Sequence, residues 1–131
     1  MIGRFPKMPK NILLIDDEEL IIRSLRKLLE KNAFAVLVAK NGQDALAMVE
    51  EEDFDLIVAD VRMPGMNGIE TIKTIYENLE KRGLKRIPVI FITGYANEEI
   101  EQEAETLKPV AYIYKPFEIT ELVDKVKGVL K

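Results

Sequence analysis

An α/β fold, with one five-stranded parallel sheet and helices on both of its faces, is predicted by two features of the sequence. Five short runs are apolar throughout, and between them apolar residues recur at helical spacing. A strand wetted on one face alternates apolar with polar residues, whereas a continuous apolar run fits a strand covered on both faces, as in a parallel sheet. The 131 residues suit a single domain, and no repeat, low-complexity tract or linker divides them.

Taken in order, Ile12-Leu13-Leu14-Ile15 is the first strand, and Ile21, Leu25, Leu28 and Leu29 mark a helix running to about Lys31. A second strand follows at residues 35–39. Asn41-Gly42 breaks the chain, and Ala45, Leu46, Met48 and Val49 fit a second helix. Leu56-Ile57-Val58-Ala59 is the third strand and ends in Asp60. A turn-rich stretch leads to a helix carrying Ile69, Ile72, Ile75, Tyr76 and Leu79, which Gly83 is placed to stop. Val89-Ile90-Phe91-Ile92 is the fourth strand and ends in Thr93. Asn97 is the expected N-cap of a polar fourth helix running to about Leu107, with Glu98 and Glu99 in its first turn. Residues 111–114 form the fifth strand, with Tyr112 and Tyr114 placed on opposite faces, and residues 120–130 the fifth helix. Residues 1–10 read as an N-terminal extension and residues 11–131 as the domain.

Composition narrows the chemistry. Cysteine is absent, so there is no disulfide, thiol nucleophile or thiolate metal site, which suits a reducing cytoplasm. Histidine is absent too, which rules out Ser-His triads, His-ligated zinc and self-phosphorylation on histidine. A net charge of −4 argues against direct nucleic-acid binding. No apolar run is long enough to span a bilayer, so no membrane contact is expected.

Ligands of open α/β sheets bind beyond the carboxyl ends of the strands, where strand order reverses. The residues following the apolar runs are therefore the candidates: Asp16 and Asp17 after the first, Asp60 after the third, Thr93 after the fourth and Lys115 after the fifth. Two unit charges ~4 Å apart repel by about 4 kcal/mol at an effective dielectric near 20. Either some of the three carboxylates are protonated or a cation lies among them. An all-oxygen set favours a hard cation such as Mg²⁺. With that cation, Lys115 and Thr93 each serving one phosphoryl oxygen, an aspartate can accept a phosphoryl group. The set lacks a strong general base, so rapid turnover is not expected.

The residues Asp16-Asp17, the stretch Asp60-Val61-Arg62-Met63-Pro64-Gly65-Met66-Asn67-Gly68, the stretch Phe91-Ile92-Thr93-Gly94 and the stretch Tyr112-Ile113-Tyr114-Lys115-Pro116-Phe117 stand in this order, each at a strand end. In this the chain resembles the receiver domains of response regulators from residue 11 to residue 131. The resemblance implies a doubly wound, flavodoxin-like (βα)5 fold with strand order 2-1-3-4-5. It implies that Asp60 accepts the phosphoryl group and that Asp17 and Asp60 hold Mg²⁺, with Asp16 acting through water and Arg62 offering its backbone carbonyl. Thr93 would reorient toward the phosphoryl group and Tyr112 would move inward with it. Lys115 would be aimed by a cis Lys115–Pro116 bond, and Gly94 would keep space open beside the phosphate. The implied partners are a sensor histidine kinase or phosphotransfer protein and a downstream output protein or domain. Their readout surface is the fourth helix, fifth strand and fifth helix, and a phosphorylation-dependent homodimer stays open. The resemblance further implies that the domain is not an enzyme, with at most slow self-dephosphorylation, and that Arg62 and Tyr95 flank the water path. Two departures from the family pattern are a slightly long segment at residues 80–87 and Lys108-Pro109-Val110 in place of small residues before the fifth strand.

Plainer readings stand beside these. Asp16 and Asp17 could cap the first helix, with Glu18 and Glu19 adding favourable charge to its dipole, Asp60 and Pro64-Gly65 could form a turn, and Thr93 could be a β-branched strand residue. Met63 and Met66 read as loop anchors. Lys81, Arg82, Lys85 and Arg86 read as a solvated helix end. Two other functions compete: a Mg²⁺-dependent aspartyl phosphatase, against which Arg62 occupies the place of the second acid, and a pseudo-receiver that binds partners without phosphorylation.

Overall fold

The five apolar runs pair side by side as β1 (Asn11–Ile15), β2 (Ala35–Ala39), β3 (Leu56–Asp60), β4 (Val89–Thr93) and β5 (Ala111–Tyr114). Every pairing is parallel and the order is β2-β1-β3-β4-β5, as expected. The computed structural model describes residues 9–63, 65–95 and 97–130. Most of the N-terminal extension (residues 1–8), Pro64 of the Pro64-Gly65 turn and the terminal Lys131 lie outside the described residues.

Apolar side chains on both faces of each strand dictate helices on both sides. Leu13, Ile57 and Phe91 face a core layer completed by α2 (Gly42–Glu51), α3 (Gly68–Lys81) and Ala104 of α4 (Glu98–Glu105). Ile12, Val58 and Ile90 face the other layer, completed by α1 (Glu19–Lys31) and α5 (Ile119–Val129). The chain starts at β1, steps one way to β2 and then returns past β1 to β3, so the order reverses between β1 and β3. That is where a doubly wound sheet opens a crevice. The central strands β3 and β4 are buried along their whole length, whereas the edge strand β5 is only partly covered. It lies between Pro109 and Pro116.

Local chemistry sets the ends of the helices. The side chains of Asn41, Asn67 and Asn97 accept hydrogen bonds from the backbone N–H of Asp44, Glu70 and Ile100, satisfying donors that a helix start leaves unpaired. Asn67 and Glu70 complete a reciprocal capping box. Gly83, at φ 69°, turns the chain after α3. The helix α4 ends at Glu105, two residues short of the expected Leu107. The buried face of α1 is Ile22, Leu25 and Leu29, with Ile21 and Leu28 only half-covered. The expected solvation of Lys81, Arg82, Lys85 and Arg86 holds, all four being exposed, and the Arg86 guanidinium lies 4.6 Å from the centre of the Tyr76 ring.

Gly68 is a contact the fold cannot relax. Its N–H donates to the Val61 carbonyl at 2.9 Å, and a Cβ there would fall 2.1 Å from the Asp60 carbonyl oxygen. The start of α3 therefore rests directly on the end of β3. A Gly68→Ala variant is expected to lose about 2 kcal/mol or more through overpacking. The Gly128→Ala variant, with open space around its Cβ at an exposed position of α5, is expected to gain about 0.5 kcal/mol from helix propensity. Urea unfolding at constant m-value measures both.

Candidate functional site

The crevice between the ends of β1 and β3 collects acidic side chains. Asp60 ends β3 and Asp16 directly follows β1, and they are 2 % and 0 % exposed. Asp17 stands on the solvent side of the pair. One carboxylate oxygen from each of the three lies within 4.8 Å of the others. Such proximity in a buried place is costly unless a cation or a proton intervenes.

Lys115, one residue beyond β5, supplies part of the compensation. Its Nζ lies 3.3 Å from Asp60 Oδ2 and 4.0 Å from Asp16 Oδ2, and it donates a hydrogen bond to the exposed Glu18 carboxylate. Its backbone N–H donates to the Thr93 carbonyl at 2.7 Å, tying the ends of β4 and β5 together. The Lys115–Pro116 bond is cis, as the resemblance implied. The remaining oxygens are held by backbone: Asp60 Oδ1 accepts from the Arg62 N–H at 3.3 Å, and Asp16 Oδ1 from the Glu18 N–H at 3.0 Å. Glu18 itself occupies the N-cap of α1 without a capping side-chain bond, so neither Asp16 nor Asp17 is the N-cap residue of that helix.

Burial raises the pKa of Asp16 to about 7, opposed by the Glu18 N–H and reinforced by the negative charge of Asp60. Burial also raises that of Asp60, against the pull of Lys115. For Lys115, burial works against the charged form, but Glu18, Asp60 and Asp16 outweigh it and the pKa ends above its ordinary value. Lys115 is thus a fixed positive charge among carboxylates that resist ionising together.

The donors suit a hard divalent cation. Asp16 Oδ2 is buried and has no hydrogen-bond partner among the described residues. The set is oxygen only, with one member open to solvent, as a cation that keeps several waters requires. Asp16, Asp17 and Asp60 would hold Mg²⁺ here, relieving both the orphaned oxygen and the repulsion.

Thr93 ends β4 and is fully buried, and its Oγ1 accepts from the Tyr95 N–H at 3.1 Å. Gly94 packs against the Lys115 stem, with room for a Cβ at ordinary contact distance. The Arg62 guanidinium lies over the Tyr95 ring, 4.5 Å from its centre, bridging the loops after β3 and β4. On β5, Tyr112 stacks beside Phe91 at 6.2 Å and meets Tyr114 edge-on at 5.4 Å. The two tyrosines therefore share a face, correcting the expectation that they lie on opposite ones; residues two apart along a strand point the same way. The Tyr112 hydroxyl is buried with no partner among the described residues, and burial raises its pKa, with Glu101 and Glu105 adding to the shift. Tyr114 instead donates to Glu101 of α4.

The structure thus gathers Asp16, Asp17, Asp60 and Lys115 into one site, with Thr93 and Arg62 at its rim and Tyr112 one strand-face away. Sequence reasoning gave Glu18 only a helix-dipole role and missed its bond to Lys115; adjacency to Asp17 was its only signal.

The family model described as response regulator receiver domain matches residues 12–127. The polar-differentiation response regulator DivK of Brucella anthropi is 31% identical over 123 residues, covering 94% of this chain and 98% of its own. The transcriptional regulatory protein ResD of Bacillus subtilis is 38% identical over 120 residues, covering 92% of this chain and 48% of its own, so the chain spans about half of that relative. A CheY-like response regulator receiver domain protein of Methanospirillum hungatei superposes with a TM-score of 0.82 at 31% identity, over 93% of this chain and 94% of its own.

The raised pKa of Asp16 has a testable sign. Its ordinary value of 3.8 describes the unfolded chain, and about 7 the metal-free fold. Between these values the folded state binds the proton that the unfolded state has lost, so stability falls as pH rises. At ~1.4 kcal/mol per unit, the loss from pH 4 to pH 8 is roughly 4 kcal/mol for this group. Urea unfolding in EDTA is expected to show it. Asp16→Asn should remove most of the slope, and Mg²⁺ should restore stability at pH 8 by binding only the folded state.

Proposed function

The chain belongs to the response regulator receiver domains, the phospho-accepting regulatory domains of two-component signalling, and we propose that it works as such a switch through Asp60. In this reading residues 11–131 form the receiver domain and residues 1–10 an extension. A partner histidine kinase or phosphotransfer protein carries the phosphoryl group on a histidine nitrogen. A carboxylate oxygen of Asp60 attacks the phosphorus. The O–P bond forms as the N–P bond breaks, and the departing imidazole keeps the electron pair.

One observation carries this reading: Asp60 is almost wholly buried, yet one oxygen is fixed by the Arg62 N–H and the other is paired with Lys115 at the mouth of the crevice. A turn-forming aspartate needs none of this. Asp17 and Asp60, with Asp16 acting through water and the Arg62 carbonyl as a further ligand, would hold Mg²⁺, which would supply charge neutralisation for the incoming oxygens. Lys115 stabilises a second phosphoryl oxygen. Phosphorylation adds roughly −1.5 to −2 charges and strong acceptors, which draw the Thr93 hydroxyl away from the Tyr95 backbone. The space Thr93 leaves admits Tyr112, whose hydroxyl has no partner to give up among the described residues. The change is read on α4, β5 and α5 by an output partner. No helix among the described residues is long and apolar enough to cross a membrane.

Incubation with acetyl phosphate and Mg²⁺, followed by intact mass, is expected to give one acid- and base-labile phosphoryl adduct. Asp60→Asn and EDTA should each abolish it; an undiminished adduct on Asp60→Asn would overturn the assignment. Because the Arg62–Tyr95 stack bridges the loops flanking the path of an attacking water, the wild-type adduct should persist well beyond seconds in Mg²⁺. Arg62→Ala and Tyr95→Ala should each shorten its half-life severalfold, measured by the decay of that mass.

A further inference from the structure

Glu18 and Glu19 stand together at the start of α1, and each meets a lysine that follows a strand. Glu19 pairs with Lys40, the residue after β2, and Glu18 with Lys115, the residue after β5. Only the second lysine reaches the acidic crevice. Glu18 occupies the N-cap of α1, yet its side chain makes no capping bond, so the helix does not depend on it. Its backbone N–H donates to Asp16 Oδ1 at 3.0 Å, which fixes the point from which the side chain reaches out. The Glu18 side chain is 54 % exposed, whereas those of Lys115 and Asp60 are 15 % and 4 % exposed. The Lys115 ammonium is therefore held from two sides, by Asp60 at 3.3 Å from within and by Glu18 from the solvent.

We infer that Glu18 is a positioning residue that restrains Lys115, so that phosphoryl transfer to Asp60 must draw the ammonium away from Glu18. The inference rests on the receiver reading above. With acetyl phosphate as donor, a carboxylate oxygen of Asp60 attacks the phosphorus, and acetate departs with the electron pair of the broken O–P bond. The phosphoryl oxygens arrive from the open side of the crevice, where Glu18 already engages the ammonium. Carboxylate and phosphoryl group carry like charge, and one ammonium neutralises the two less fully than it neutralises either alone. Each step toward the Lys115–phosphoryl pair therefore costs part of the Lys115–Glu18 pair. The neighbouring Glu19–Lys40 pair has no such consequence, because among the described residues neither of its members pairs with Asp16 or Asp60.

The rate of phosphorylation by acetyl phosphate in saturating Mg²⁺, read as intact mass, tests this on wild type, Glu18→Ala, Glu18→Asp and Glu19→Ala. Glu18→Ala removes the restraint. Glu18→Asp keeps the charge but is one methylene short of Lys115 and suited to capping α1 instead. Both are expected to load about fivefold faster than wild type, the worth of one partly exposed ion pair. Glu19→Ala drops the same charge one residue on and should stay within about twofold of wild type. The Mg²⁺ affinity of Glu18→Asp, measured by calorimetry, should equal that of wild type. Wild-type loading by Glu18→Asp, or equal acceleration by Glu19→Ala, would reduce Glu18 to a diffuse negative field and overturn the restraint. Slower loading by Glu18→Ala would overturn it too, making Glu18 an aid to Lys115. So would a Mg²⁺ affinity that changes with the rate in Glu18→Asp, which would move Glu18 to the cation. Any of these results, with wild type still loading on Asp60, sinks the restraint and leaves the receiver reading standing; no adduct on wild type sinks both.

Discussion

Two buried carboxylates that cannot both ionise cheaply hold this molecule's chemistry together. Asp16 and Asp60 sit at the ends of neighbouring central strands, and among the described residues only Lys115 pairs with them from within the crevice. Without the parallel β1–β3 pairing they would not meet, and without the apolar layers on both sides they would not be desolvated. The same desolvation that raises their affinity for protons raises their affinity for a divalent cation, since each relieves the same repulsion. The acidic site and the hydrophobic core are therefore one design problem: the core supplies the low-dielectric walls that give the charges their reach.

The groups around the pair come from two fully buried strands and from the partly covered edge of the sheet. Asp60 belongs to β3, Thr93 to β4, and Lys115 follows β5, whose four residues are only partly covered. Gly68 locks α3 onto the carbonyl of Asp60, so the Asp60 side of the site resists displacement. Compliance is left to the β4–β5 side, where Thr93 bonds to the Tyr95 backbone two residues on and Tyr112 keeps a hydroxyl without a partner among the described residues. A charge placed at the centre meets a stiff neighbour on one flank and an adaptable one on the other.

Much of this was legible in the sequence because both signals were strong. Strands covered on both faces leave unbroken apolar runs, and chemistry at strand ends falls at fixed places relative to those runs. Asn97 and Gly83 announced helix ends because their roles depend on local geometry alone. The phase of α1 was less readable: Leu20-Ile21-Ile22 offers three adjacent apolar residues, and only packing against the sheet and α5 selects Ile22. The same-face contact of Tyr112 with Tyr114 followed from strand geometry and was misjudged. The Glu18–Lys115 bond and the close approach of Gly68 to Asp60 join elements far apart in sequence, and no short motif encodes them.

The short fifth strand between Pro109 and Pro116 has a consequence for the protein in a crowded solution. An edge strand offers unpaired backbone groups to any extended chain that drifts past, and long, flat edges are templates for aggregation. A proline at each end contributes no N–H, so a foreign strand could be zipped along only a few residues before its register ran out. The partly covered edge is thereby kept too short to recruit neighbours, letting pliability and colloidal stability coexist on one side of the sheet.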